Sequence, residues 1–164
     1  MADRYDKLNH NTYMASIGSM AKRWKDAIYV PPPLNIEDFF TVESPAGIVI
    51  ADEMGATIHQ LTILSKAVRT TSYLETEPLD DDVLDAMQDR LSGDRPNTAT
   101  SALASIISLN EEVYERLTAM RMVDWKNSAN SGSVTVSMPD LARGLSRVNA
   151  ERLSRAIRAL DAIQ

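Results

Sequence analysis

Cysteine is absent from this chain of 164 residues, which excludes disulfide bonds, thiol catalysis and cysteine-ligated metal sites. Aromatic residues are also scarce, since phenylalanine, tryptophan and tyrosine together make up 5% of the sequence. The core must therefore be mainly aliphatic, with the eight methionines filling irregular gaps or forming adaptable contact surfaces. Basic residues are fewer than acidic ones: 17 lysines and arginines against 23 aspartates and glutamates give a net charge of −6.

Long apolar runs are missing too. No stretch approaches the roughly 18 apolar residues that a membrane-spanning helix needs. The first twenty residues carry early charges and lack the apolar segment of a secretory signal. We therefore expect no membrane span, and a cytoplasmic location or membership of a particle assembled in a cytoplasm. An acidic balance repels phosphate groups, so we also expect no nucleic-acid partner.

Helical periodicity dominates what is present. Apolar residues recur at spacings of three and four over 11–29, 52–70, 81–91 and 98–125, and again near the C-terminus. Asp80 or Asp81 is the expected N-cap of the third helix and Gly93 its expected end, and Asn97 is the expected N-cap of the fourth. These patterns predict a mainly α fold, a single-domain bundle of four to five helices over 1–164.

Several segments depart from this helical pattern. An N-terminal arm covers 1–12, and a long proline-bounded loop covers 31–50. Residues 133–137 alternate as a short strand would, and 47–50 allow a second one, whereas the small polar residues of 126–133 predict a loop. Loops longer than about 12–15 residues are usually functional or extended over a partner.

The proline-bounded loop contains both phenylalanines of the chain, Phe39 and Phe40. Adjacent side chains in an extended segment point to opposite sides, so we expect one of the two to be buried and the other exposed. Together with three aliphatic neighbours they are the candidate residues of a protein interface: Phe39, Phe40, Val42, Ile48 and Ile50. The alternative is a loop that folds over its own bundle.

The C-terminal segment allows two arrangements. Ser137 and Asp140 have the spacing of a capping box, so a helix is expected to begin there. The apolar residues before and after 146–149 do not share one face of a continuous helix. Either the helix contacts two different neighbours, or it breaks at 146–149 and Asn149 caps a second helix.

The broken version resembles a DNA-binding helix-turn-helix over 138–164, with Arg152, Arg155 and Arg158 directed outward as candidate DNA contacts. A loop and a strand, however, precede this segment where a DNA-binding helical core would carry another helix. Arginines on a C-terminal helix are also ordinary surface residues. We therefore expect these three arginines to be solvated or paired with carboxylates.

Chemistry-bearing residues form no constellation in the sequence. The two histidines are His10 and His59, and His59 has no ligand type four residues away, so we expect it to be a partly buried packing residue. Residues 19–22 match S-x-x-K without the companion motifs of the enzymes that use it. The acidic run 75–85 lacks the glycine of a calcium loop. The sequence thus predicts no catalytic, cofactor-binding or metal-ligating residue and no cofactor.

Three hypotheses for function remain. The first is a non-enzymatic structural or assembly protein, such as a coat, shell or virion subunit, that acts by self-association or by contact with another protein. It rests on elimination and on the long arm and loop, and it predicts a homo-oligomer. The second is a DNA-binding regulator that uses 138–164. The third is a helical enzyme whose site leaves no mark in the sequence.

Overall fold

The computed structural model describes residues 3–73 and 77–164. Within them, the chain is mainly helical (65%), with five α-helices and one small antiparallel sheet. The elements are α1 (His10–Ala27), α2 (Ile50–Ser72), α3 (Val83–Met87), α4 (Ala99–Ala119), β1 (Ser128–Ser131), β2 (Val134–Ser137) and α5 (Met138–Ile163). The predicted fold class, a helical bundle with a small β element, is confirmed. No helix of these described residues is long and apolar enough to cross a membrane.

Four long helices form a closed ring. The helix α5 packs against α1 and α2, and α4 likewise contacts both α1 and α2. The short helix α3 lies against α2 and α5. The enclosed core is aliphatic and methionine-rich, as the composition predicted, and its fully buried side chains include Trp24, Met54, Leu64, Ile106 and Leu145.

Helix ends differ from the predicted ones where a local contact decides them. The N-cap of α4 is Thr98, whose side chain accepts a hydrogen bond from the N–H of Ser101, so the expected cap at Asn97 is wrong. The helix also ends at Ala119 rather than at 125. The helix α3 is shorter than 81–91. It begins after Asp82, so the expected cap at Asp80 or Asp81 is wrong, and it ends before Asp89, which has a left-handed backbone conformation with φ of 57°. The N–H of Leu91 then donates to the side chain of Gln60 instead of continuing a helix.

The capping box at the start of α5 is confirmed. The N–H of Asp140 donates to Ser137 Oγ at 3.2 Å, and the N–H of Ser137 donates to Asp140 Oδ2 at 3.1 Å. Of the two arrangements open for this segment, the structure shows the continuous helix. A continuous helix can bury both apolar faces, before and after 146–149, because α5 contacts α1, α2 and α3. Asn149 is buried within the helix and is not a cap.

The β element consists of two strands, of which only β2 was predicted. Its partner β1 lies in the segment expected to be a loop, with Ser128 opposite Ser137 and Ser131 opposite Val134. Gly132 makes the tight turn between them with φ of 60°. The possible strand at 47–50 is a single bridge between Glu43 and Val49, and Ile50 already begins α2.

Candidate interaction site

The described part of the N-terminal arm lies on α5 of its own chain. Arg147 on α5 is only 4% exposed, and its guanidinium holds the carboxylates of Asp3 at 2.8 Å and Asp6 at 2.9 Å. The buried Tyr5 donates its hydroxyl to Glu151 at 2.8 Å. From His10 onward the predicted arm belongs to α1. The arm is therefore held by ion pairs and by an aromatic side chain within the subunit.

The proline-bounded loop is also fastened to its own bundle. The carboxylate of Glu37 accepts hydrogen bonds from the backbone N–H groups of Ala99 and Thr100, both at 3.0 Å, and so caps the start of α4. Burial raises the pKa of Glu37, but these bonds to the charged form outweigh it, and the pKa lies below its usual range. The distant cap explains how a segment with little regular structure keeps a fixed position.

The five interface candidates in this loop are divided by the structure. Phe40 is 2% exposed and Ile50 is fully buried, and both belong to the core. Phe39 and Ile48 are half-buried against that core, whereas Val42 is exposed. The expected burial of one phenylalanine is thus observed at Phe40, but Phe39 is half-buried rather than exposed. Val42 is the one candidate of the five with an open side chain.

The three candidate DNA-contact arginines have other surroundings. Arg152 Nε donates to Asp89 at 2.6 Å, and an Nη donates to Glu53 at 3.0 Å. Arg155 lies within 3.9 Å of Glu53 and 3.8 Å of Asp89, and Arg158 is exposed. The expectation that these arginines are paired with carboxylates or solvated is confirmed.

The carboxylates of this ion cluster come from distant parts of the chain. Glu53 lies on α2, while Asp89 follows α3 and is also held by Gln60 Nε2 at 2.8 Å. Burial lowers the pKa of Arg152. Its hydrogen bonds to Asp89 and Glu53 raise the pKa by more than burial lowers it, so the net shift is upward. Sequence reasoning missed Glu53 and Asp89, because nothing local marks two separated carboxylates as partners of one arginine.

Residues singled out for other chemistry remain separate from one another. His59 is exposed on α2, so its expected partial burial is wrong. In the S-x-x-K segment, Ser19 donates to the carbonyl oxygen of Ser16 while Lys22 pairs with Asp26. Over the described ranges, no group of three or more histidine and acidic side chains is placed to hold a metal ion.

An open groove of about 590 Å³ runs between α1 and α4, and we call it the α1–α4 groove. Its apolar lining, which we call the floor, consists of Gly18, Ala21, Leu103, Ala104 and Ile107. The two helices approach closely here: a Cβ on Gly18 would lie 2.8 Å from the ring of Tyr114. The charged residues that line the groove are two lysines on α1, Lys22 and Lys25, and Glu111 on α4.

The groove has a sequence signal that the single-face interpretation of α4 overlooked. The core face of this helix includes Ala102 and Ile106, and each is followed directly by another apolar residue, Leu103 and Ile107. Such adjacent pairs widen the apolar arc beyond one packing face. Since α1 and α2 cover only part of that arc, Leu103 and Ile107 remain half-buried.

A second surface depression of about 520 Å³ lies between the ends of α2 and α4. Its lining is strongly charged, and three of these charged side chains have partners within the subunit: Arg116 donates to the hydroxyl of Tyr73 at 3.1 Å, and Arg121 pairs with Asp124 at 3.1 Å. Because desolvating such pairs is costly, this depression is less suited to a partner than the α1–α4 groove.

The α1–α4 groove can therefore bury apolar surface of a partner between charged edges, which is the usual anatomy of a protein interface.

No protein-family model, curated protein or solved structure matches this chain.

Proposed function

We propose that this chain is a non-enzymatic structural or assembly protein, of the kind that forms coats, shells or other particles. It acts by contact with other protein chains, in the first place with copies of itself. The observation that carries the proposal is the α1–α4 groove. Its floor offers apolar contact and no nucleophile or general base, and charge lies only at its edges.

The engagement of the charged side chains supports the same proposal. The guanidinium of Arg147 forms ion pairs with Asp3 and Asp6, and that of Arg152 forms ion pairs with Glu53 and Asp89. A catalytic group has to reach a substrate, and a DNA-binding arginine has to reach a phosphate or a base edge. These ion pairs are made within the subunit and hold its elements together, so they weigh against both rival hypotheses.

Solution mass tests the proposal. Light scattering across a wide range of protein concentration and at two salt concentrations is expected to give a mass above that of one chain, increasing with concentration. A mass equal to one chain at every concentration contradicts self-association. Binding to random duplex DNA, measured by fluorescence anisotropy, is the control: tight binding that weakens steeply with salt would favour the DNA-binding hypothesis instead.

A further inference from the structure

We infer that the α1–α4 groove binds a second copy of this chain, related to the first by a two-fold axis that runs along the groove. The inference rests on the proposed function and specifies its contact surface. It depends on the distribution of charge along the two edges of the groove, on the direction of the two helices, and on the small side chains of the floor.

The two edges of the groove carry opposite charges. Lys22 and Lys25 lie along the α1 edge, and Lys22 also pairs with Asp26, which leaves this edge with an excess of positive charge. Glu111 lies along the α4 edge. All three side chains belong to exposed residues, so they are accessible to a partner.

The helices α1 and α4 run antiparallel. Gly18 lies beside Tyr114 toward the end of α4, while the later residue Lys25 lines the same groove as Thr100 at the start of α4. Antiparallel order therefore places Lys22 and Lys25 at the levels of Glu111 and Ile107. Lys22 and Glu111 therefore lie on opposite edges of the groove at about the same height, with Lys25 about one turn further along.

Symmetry then selects one arrangement of two copies. In a two-fold interface, each residue of the patch meets the same patch on the other copy. An axis along the groove places α1 of one copy over α4 of the other, so that the lysine edge meets the glutamate edge twice. An axis across the groove would place lysines over lysines, which is repulsive. The charge pattern therefore favours the axis along the groove.

The apolar floor fits the same arrangement. Four helices, α1 and α4 from each copy, would pack as an antiparallel bundle that covers Leu103 and Ile107. Ala21 and Ala104 let the backbones approach, because their small side chains leave room for those of the facing helix. A uniformly acidic partner would be attracted to the lysine edge and repelled by Glu111, whereas a second copy satisfies both edges.

Charge reversal tests the axis directly. The variant Lys22→Glu/Lys25→Glu makes both edges negative, and Glu111→Lys makes both edges positive. Each variant alone is expected to dissociate with a constant raised about tenfold or more, because attractive pairs become repulsive. Mixed in equal amounts, the two variants are expected to recover a dimer that contains one chain of each kind, as measured by native mass spectrometry and sedimentation.

A steric variant and its neighbour provide the control for folding. Ala104→Arg fills the floor and is expected to give monomers, whereas Ser105→Arg places the same side chain on the next exposed residue of α4, outside the groove, and is expected to leave the dimer intact. Thermal unfolding of every variant checks that the bundle is folded.

The outcomes separate the inference from the proposed function. A wild-type chain that is monomeric at every concentration overturns both. An oligomer that neither charge reversal nor Ala104→Arg weakens leaves the proposed function standing and overturns the inference. Variants that dissociate alone but do not recombine when mixed overturn the axis along the groove.

Discussion

The side-chain amides of Asn110 and Asn149 exchange two hydrogen bonds in the interior of the bundle, at 3.0 and 2.9 Å. Trp24 Nε1 donates to the same Asn149 oxygen at 3.1 Å, so the network joins α1, α4 and α5. Each amide also donates to a backbone carbonyl of its own helix, that of Ile106 or Leu145. A fully satisfied polar network of this kind fixes how three helices meet, because any other packing leaves buried polar groups unpaired.

Asn149→Leu is therefore expected to destabilise the fold by about 1–3 kcal/mol for each buried group of Trp24 and Asn110 that it leaves without a partner. The free energy of unfolding in urea measures this loss. The double variant Asn110→Leu/Asn149→Leu is expected to lose less than the sum of the two single variants, because one unpaired amide disappears with its partner. Strict additivity would contradict a coupled network.

Gly55 on α2 lies where any side chain would clash with a neighbouring backbone segment. A Cβ at this position would lie 2.3 Å from the backbone oxygen of Asp94, which cannot move without shifting its segment. Helix propensity alone favours alanine by about 0.8–1.0 kcal/mol, but overpacking of this kind costs about 1–3 kcal/mol. Gly55→Ala is therefore expected to lower the stability measured by thermal unfolding.

Gly18→Ala is the matched control for Gly55→Ala. Its new Cβ would meet the ring of Tyr114, a side chain on the surface that can rotate away, so stability is expected to stay the same or to rise slightly. If the two alanine variants changed the melting temperature equally, the close approach at Gly55 would not be the cause.

Much of the bundle could be predicted from local patterns. The 3–4 spacing of Tyr13, Ile17, Met20 and Trp24 matches the buried face of α1, and Ser137 and Asp140 mark the start of α5. The strand β1 could not be predicted in this way. Its sequence, Ser-Ala-Asn-Ser, has no β propensity, and it forms because β2 follows across a tight turn and because Leu79 N–H donates to Asn130.

The candidate site was less accessible to sequence reasoning. Phe39 and Phe40 marked the proline-bounded loop as a candidate interface. Glu37, however, ties that loop to the start of α4 through a contact between residues distant in sequence. The surface that remains open is instead formed by two helices side by side. The adjacent apolar residues of α4 indicate a wide apolar face, but only the packing of α1 determines which part of it stays uncovered.

Arg152 neutralises two carboxylates that have little access to water, since the side chains of Glu53 and Asp89 are 11% and 5% exposed. Arg152→Ala is expected to cost about 3 kcal/mol, at the lower end of the range for breaking a buried pair, because Arg155 lies close enough to compensate in part. Arg158→Ala on the exposed side of the same helix is the control and is expected to change stability by less than about 0.5 kcal/mol. Equal losses in urea unfolding would contradict the assignment of these charges to the fold.

The docking of the N-terminal arm depends on the charge of Asp3. The hydrogen bonds from Arg147 lower the pKa of the Asp3 carboxyl below its usual range. A lowered folded-state pKa means that the stabilisation is present above the unfolded value, about 3.9 for aspartate, and is lost as the pH falls through the folded pKa.

Thermal unfolding of wild type and Asp3→Asn at a series of pH values measures this loss of stability. The wild type is expected to melt higher above about pH 4, by a modest amount because nearly half of the Asp3 side chain is exposed to solvent. The melting temperatures of the two proteins are expected to converge at lower pH, where the side chain at position 3 is neutral in both. A difference that stays constant down to the lowest pH would show that the Asp3 carboxylate charge does not hold the arm.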